Sequence, residues 1–91
     1  MVEKGRKKGT VRFVIRPDGA VRRASLAGSF NGWKPTQMRR QKNGAFVVIV
    51  AVPPGTYEYK FIVDDQWAVD PDNNVWAVNP FGTINSILSV E

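Results

Sequence analysis

Residues 45–63 read AFVVIVAVPPGTYEYKFIV, and this stretch decides the fold. Ala45–Val52 is almost entirely β-branched or small and apolar, which is typical of a central strand buried on both faces. The two prolines that follow end this strand because proline cannot donate to a sheet ladder. Residues 56–63 then alternate, and one face carries the predicted core residues Tyr57, Tyr59, Phe61 and Val63. The stretch predicts two neighbouring strands.

The segments on either side predict further short strands. Thr10–Arg16 and Ala20–Ala27 are candidates before it, and Gln66–Val69 and Thr83–Val90 follow it. Asp64-Asp65 supplies a tight turn, so Gln66–Val69 is predicted to form a hairpin with residues 56–63. No window of eleven or more residues has helical periodicity. Six or seven strands at this spacing predict an all-β antiparallel sandwich, with a small barrel as the alternative.

The chain has 91 residues, which suits one domain with a modest core. We expect a flexible basic arm over residues 1–9 and the folded domain over residues 10–91. There is no cysteine, no apolar signal segment at the N-terminus, and no apolar run close to the ~20 residues that span a bilayer. A cytoplasmic location is therefore expected.

The net charge of +5 is unevenly distributed, since residues 1–42 contain 12 of the 13 basic residues. A strongly basic half of a chain can indicate a nucleic-acid or anionic partner if its charges lie on one face of the fold. This is the rival binding hypothesis, in which binding falls steeply with salt. Its candidate residues are Lys4, Arg6, Lys7, Lys8, Arg12, Arg16, Arg22, Arg23, Arg39 and Arg40.

Catalytic chemistry has few possible residues here. The chain contains no histidine and no cysteine, which removes the usual general base and the usual nucleophile pairs. Carboxylates for glycosidase work remain at Asp64, Asp65, Asp70 and Asp72, but so small a sandwich offers no deep cleft. Asp70, Asp72 and Asn74 resemble part of a calcium loop but lack its glycine and glutamate, so we interpret them as a turn. We predict no enzyme, no metal and no cofactor.

The three tryptophans, Trp33, Trp67 and Trp76, lie in or beside predicted turns. Any one of them could instead cap an end of the sandwich. Two exposed together would form a platform for sugars, because the apolar C–H face of a pyranose stacks on an indole. Lys60, Thr83 and Asn85 lie on polar strand faces, where they can bond the hydroxyl edge of a sugar.

Three motifs then resemble a known family. They are LAGSFNGW at Leu26–Trp33, PPGTYEYKFIVDDQW at Pro53–Trp67 and FGTINSILSV at Phe81–Val90. Together they resemble a family-48 carbohydrate-binding module. That family includes the glycogen-binding domain of the beta subunit of AMP-activated protein kinase and the early-set domains of isoamylases and branching enzymes.

The resemblance implies an immunoglobulin-like, early-set sandwich that binds α-1,4-linked glucan, such as glycogen, starch or cyclodextrin. By motif match, two residues stack on the sugar, Trp33 and Trp67. Four others contribute hydrogen bonds or an apolar wedge, namely Lys60, Phe81, Thr83 and Asn85. The implied partners are an α-glucan and an amylolytic enzyme or kinase subunit.

The sequence departs from the family pattern at two positions. The usual D-G-x-W turn is Asp64-Asp65-Gln66-Trp67 here, which predicts a positive φ at Asp65. Phe81 replaces the usual leucine and could change which oligosaccharide fits. A non-binding domain that only packs on a larger enzyme or kinase is the alternative function, and Trp76 lies outside the motifs.

Overall fold

The computed structural model describes all residues from 1 to 91 as an all-β domain. It contains no helix of the length and apolar character that crossing a membrane requires. One short 3-10 turn covers Ser29–Asn31. The strands are β1 (Val2–Lys4), β2 (Thr10–Ile15), β3 (Ala24–Gly28), β4 (Thr36–Gln37), β5 (Arg39–Arg40), β6 (Phe46–Ala51), β7 (Gly55–Val63), β8 (Gln66–Ala68), β9 (Trp76–Val78) and β10 (Ile84–Val90).

The strands form two antiparallel sheets. One has the order β1-β2-β6-β5, and the other has the order β4-β3-β7-β10-β9, with β8 also paired to β7. Strand β7 is central to the second sheet because β3 pairs with residues 59–63 while β10 pairs with residues 55–59. The predicted immunoglobulin-like, early-set sandwich is confirmed.

The core lies between the two sheets and follows the alternation predicted for β7. Tyr59 and Phe61 are fully buried, and Phe13 of β2 packs on Tyr59 with ring centroids 5.3 Å apart. Leu26 of β3 and Phe46 of β6 belong to the same cluster, which contains 11 buried residues. The opposite face of β7 points away from the core, and this face carries the site described below.

One segment belongs to both sheets. In β4, Gln37 pairs with Ser25 of the six-stranded sheet. Two residues later, in β5, Arg39 pairs with Val47 of the four-stranded sheet. Met38 lies between them and is buried. The chain therefore crosses from one sheet to the other at this corner of the sandwich.

Two strand predictions were partly wrong. Strand β6 is not buried on both faces, because Ile49 is 57% exposed. On the outer face of that sheet, Val14, Ala45 and Val47 form only a small buried cluster. The strand predicted from Ala20 begins only at Ala24. The amides of Arg22 and Arg23 bond the Asp64 carboxylate instead of a neighbouring strand.

The structure also contains four short strands that the sequence did not predict, namely β1, β4, β5 and β9. Residues 2–4, expected in a flexible arm, form β1 and pair with β2 in the register Val2↔Phe13 to Lys4↔Val11. Strand β9 pairs with β10 through Trp76↔Ser86 and Val78↔Ile84. None of the four has more than three residues, which is too short to show alternation.

Candidate functional site

An open groove of about 570 Å³ lies on the outer face of the six-stranded sheet. It contains all six residues that the sequence analysis predicted to bind sugar. Three further residues line it that the sequence analysis missed. The lining residues are Trp33, Glu58, Lys60, Trp67, Asn79, Pro80, Phe81, Thr83 and Asn85. Their contact with a sugar stays a prediction.

The β7–β8 hairpin positions Trp67. Its two-residue turn has φ values of 45° at Asp64 and 69° at Asp65, and positive φ at both positions is characteristic of a type I′ turn. The positive φ predicted for Asp65 is confirmed, and Asp64 shares it. Trp67 pairs with Ile62, so its indole lies on the outer face of the sheet.

Two arginines hold this turn from outside the hairpin. The backbone amides of Arg22 and Arg23 donate to Asp64 Oδ1, each at 3.0 Å. The Arg23 guanidinium donates to both Asp65 carboxylate oxygens at 2.8 and 2.7 Å, and these hydrogen bonds raise the pKa of Arg23. Because the ion pair is exposed, we expect it to orient the turn more than it stabilises the fold.

Trp33 lies at the end of the 3-10 turn that follows β3. Gly32 and Trp33 both have left-handed backbones, with φ of 69° and 63°. The Trp33 amide donates to the Gly28 carbonyl at 2.9 Å, which fixes this conformation. A left-handed residue other than glycine costs on the order of 1 kcal/mol or more. Strained residues of this kind cluster at binding sites, so Trp33 is a functional candidate on backbone geometry alone.

The two indole rings face each other at an angle. Their centroids are 6.5 Å apart and their planes make an angle of 64°. Trp67 remains 55% exposed, while Trp33 is half-buried. The pair therefore presents a concave apolar surface instead of a flat one.

A chain of hydrogen bonds forms the polar side of the groove. Lys60 Nζ donates to Thr83 Oγ1 at 3.2 Å, and Asn79 Nδ2 donates to the same oxygen at 2.6 Å. Asn79 Nδ2 also approaches Asn85 Oδ1 at 3.3 Å, and Asn85 Nδ2 donates to Glu58 Oε1 at 3.1 Å. Because Thr83 Oγ1 accepts twice, its own hydrogen is free to donate to a ligand.

Asn85 occupies the floor of the groove and is only 6% exposed. The sequence placed it on the polar face of the last strand, and it does lie on that face. Its low exposure was not predicted, because Asn79 and Glu58 reach it from the neighbouring strand and loop. Its amide is thus held in one orientation before any ligand arrives.

Phe81 stands at the rim on the loop between β9 and β10, and it is 90% exposed. Asn79 builds this loop. Its side-chain oxygen accepts from the amides of Phe81 and Thr83 at 3.0 and 3.1 Å, and its carbonyl accepts from the Gly82 amide at 3.1 Å. The loop is therefore internally bonded and projects an apolar ring into solvent.

Comparison with known proteins identifies the family of this chain. A model of the glycogen recognition site of AMP-activated protein kinase matches residues 11–91. The chain belongs to this family. Subunit beta-1 of the 5'-AMP-activated protein kinase of Sus scrofa is 40% identical over 78 residues, which are 86% of this chain and 62% of that sequence. The Homo sapiens subunit beta-1 is 38% identical over 78 residues, which are 28% of its length.

Solved structures agree on the fold of this glycogen recognition domain. A maltogenic amylase from S. marinus superposes with a TM-score of 0.74 at 23% identity, over 90% of this chain and 13% of the amylase. A pullulanase from Paenibacillus barengoltzii gives a TM-score of 0.62 at 28% identity, over 91% and 14% of the two chains. The chain spans less than two thirds of the proteins it matches.

Glu58 and Asn79 are the main groove residues of this glycogen recognition domain that the sequence analysis missed. Glu58 had a usable signal, since it alternates with Lys60 on the solvent face of β7. Asn79 had none, because its importance arises from contacts with Phe81, Thr83 and Asn85 that only the folded hairpin creates.

The carboxylates of the domain do not assemble a catalytic pair. Glu58 is the only acidic residue in the groove, whereas glycosidases use two. In the hairpin turn, the Asp64 carboxylate accepts from the Arg23 backbone amide, and the Asp65 carboxylate accepts from the Arg23 guanidinium. The family is described as a recognition site, in agreement with the predicted non-catalytic role.

Asp70, considered above for a calcium loop, is buried inside the domain. Its carboxylate accepts from the Met1 ammonium and from the Tyr59 hydroxyl at 2.7 Å. Burial raises the pKa of Tyr59. No group of three or more histidine, cysteine or acidic side chains lies together in the domain. Asp70 therefore supplies a buried hydrogen-bond acceptor to the core, a role that the turn interpretation of its segment did not predict.

Proposed function

We propose that this domain binds α-1,4-linked glucan chains in the groove, by stacking sugar rings on Trp33 and Trp67. The observation that carries this proposal is the convergence of two indoles and a bonded polar network on one face. A pyranose presents an apolar face and a polar edge, and the groove has a matching surface for each. Family membership supports glycogen as the natural polymer.

The angle between the indoles supports an α-linked chain in particular. Two rings inclined at 64° cannot both lie parallel to the sugars of a flat, extended chain such as cellulose. An α-1,4 chain curves, so successive glucose rings turn relative to one another. Such a chain can place one sugar on each indole.

The polar residues have distinct proposed roles. Lys60 has two ammonium hydrogens beyond the one bonded to Thr83 and donates to sugar hydroxyl oxygens. The Thr83 hydroxyl donates its free hydrogen. Glu58 accepts from sugar hydroxyls, while Asn85 contacts the sugar edge from the floor. Phe81 covers the apolar face of a further sugar at the rim.

The expected affinity is modest. Two covered indole faces contribute roughly 3–4 kcal/mol through apolar burial. A few partly exposed hydrogen bonds add about 0.5–1.5 kcal/mol each, and association costs at least ~4 kcal/mol. The Kd for a short oligosaccharide is therefore expected at about 10 μM to 1 mM. Polymers should bind more tightly because they offer many overlapping sites.

The testing experiment is affinity electrophoresis through gels that contain glycogen or amylose, with a cellulose derivative as the control polymer. Retardation by glycogen and amylose but not by cellulose is expected, and maltoheptaose should reverse it. Retention should also be the same at low and physiological salt, because stacking involves no counterion release. Equal mobility in all gels would contradict the proposal.

The groove does not suit the rival nucleic-acid ligand. It contains one cation, Lys60, beside one carboxylate, Glu58, so it offers no track of positive charge for phosphates. The basic side chains of residues 1–42 do not line it, and Trp33 is its only contribution from that half of the chain.

We also propose that the domain operates within a larger assembly. Its relatives are kinase beta subunits, and the solved structures that it resembles are parts of amylolytic enzymes. A kinase complex is the favoured partner because the matching family is the glycogen recognition site of AMP-activated protein kinase. Co-purification of the intact natural protein with a kinase subunit tests this proposal.

A further inference from the structure

A second cavity, of about 390 Å³, lies at the corner where the chain crosses between the sheets. Four arginines and Gln37 surround it, and the buried residues Met38 and Phe46 form its base. None of these residues lines the sugar groove. The lining arginines are Arg22, Arg23, Arg39 and Arg40.

The positive charge of this arginine cavity is largely uncompensated. No acidic residue lines it. The four ion pairs of the domain include Arg23, which bonds Asp65, but none of the other three arginines. Guanidinium groups that share one cavity repel one another, and a bound anion would relieve that repulsion.

We propose that the arginine cavity binds a doubly charged phosphoryl group, as free phosphate or as a small phosphate monoester. The guanidinium fork matches phosphate oxygens with two parallel N–H donors, which an ammonium group cannot do. The volume falls in the range of about 300–1,000 Å³ typical of small-molecule sites. This site is independent of the proposed glucan groove.

The distribution of charge favours a discrete anion over a nucleic acid. The other basic cluster, residues 4–8, lies in and after β1, and strands β2 and β6 separate β1 from β5. It also lies at the opposite end of the sheet. Thr10 pairs with Ala51 at one end of β6, and Arg40 pairs with Phe46 at the other. These two ends are five residues' rise apart, roughly 17 Å. The two clusters form no continuous stripe for a phosphodiester backbone.

Anion binding should also be felt at the hairpin turn. Arg23 lines the cavity and bonds Asp65 at the same time. That ion pair is exposed, so a phosphate can draw the guanidinium away at small cost. The Asp65 amide therefore reports on occupancy of the arginine cavity.

The test is an NMR titration of the ¹⁵N-labelled chain with sodium phosphate, against sodium chloride at matched ionic strength. Saturable shifts are expected at residues 22–23, 37–40 and 65, with a Kd of about 10 mM or lower. A parallel arm with glycerol 2-phosphate distinguishes the two sources. Tighter binding of the ester assigns the site to organic phosphates, and equal or weaker binding assigns it to the free ion.

Variants make the assignment specific. Arg39→Gln with Arg40→Gln should weaken phosphate binding by about tenfold or more, since each lost charge-assisted hydrogen bond is worth roughly one order of magnitude. Arg16→Gln removes an exposed arginine outside the cavity and should change affinity less than about twofold. The spectra themselves report whether each variant is folded.

Three results would overturn the proposal. Shifts that grow linearly with salt would mean there is no site. An equal loss in Arg16→Gln would mean that only net charge matters. A single-stranded oligonucleotide that binds more tightly and shifts residues 4–8 together with residues 22–40 would assign these arginines to a nucleic-acid surface.

Discussion

Replacement of Trp67 by alanine should weaken glucan binding by about 10- to 30-fold. A fully exposed tryptophan side chain has roughly 250 Å² of accessible surface, and Trp67 is 55% exposed in this structure. A glucose ring that stacks on one face hides about half of that remainder, roughly 70 Å². At about 25 cal/mol per Å² this contact is worth ~1.5–2 kcal/mol, which corresponds to that loss of affinity.

The assay is isothermal titration calorimetry with maltoheptaose, and the chain provides a matched control. Trp76 is 56% exposed, lies on the edge strand β9, and takes no part in the groove. Trp76→Ala should leave affinity within about twofold of the wild type. Trp67→Ala should shift the melting temperature only slightly, because the lost side chain is already more than half exposed in a three-residue strand.

Two outcomes would refute this reasoning. If Trp76→Ala weakens binding as much as Trp67→Ala, exposed indoles bind glucan regardless of position and the groove is not the site. If Trp67→Ala melts several degrees early and still binds with unchanged affinity, its indole supports the fold and not the sugar.

Three further predictions follow from other contacts. Trp33→Gly should reduce glucan affinity about tenfold and leave the unfolding free energy within ~1 kcal/mol of the wild type, because glycine relieves the left-handed φ of 63°. Calorimetry measures the affinity and chemical denaturation measures the stability. A stability loss of several kcal/mol would make Trp33 a core residue. Tyr59→Phe should cost about 1–3 kcal/mol at pH 8, because Asp70 loses a buried donor. The raised pKa of Tyr59 means that its contribution to wild-type stability is fully present below pH ~10 and falls by up to ~1.4 kcal/mol per pH unit above it. Urea denaturation at pH 8 and pH 11 should therefore show a smaller loss of stability for the variant than for the wild type. An equal loss in the two proteins would contradict this. Gly28→Ala should lower the melting temperature by roughly 4–15 °C, since an added Cβ overlaps the Phe30 ring and comes within 3.0 Å of the Glu58 carbonyl oxygen; an unchanged melting curve would show that Phe30 moves aside freely.

Some features of this fold were predictable because their cause is local. The alternation from Thr56 to Val63 places Tyr59 in the core and Lys60 on the solvent face, whatever the rest of the chain does. The positive φ of Asp65 follows in the same way from its position in a two-residue hairpin turn. The three motifs located six groove residues because they fix sequence spacing around these local elements.

Other features depend on distant neighbours and were not predictable. An unbroken apolar run cannot say which face is covered, so Ile49 was placed inside although it is exposed. Strand β1 is recognisable only through its pairing with β2. The support of the Asp64 turn by Arg22 joins residues 42 positions apart. The basic half of the sequence likewise gave no sign that four arginines would share one cavity.

The crossing segment from β4 to β5 has a consequence for how the domain unfolds. Gln37 is bonded into one sheet and Arg39 into the other, with the buried Met38 between them. The sheets therefore cannot separate unless this segment breaks its pairing with one of them. Loss of either sheet exposes the shared core at the same moment, which makes partial opening costly. We expect a single cooperative transition, with the slowest hydrogen exchange in β3, β6 and β7 at the same global free energy.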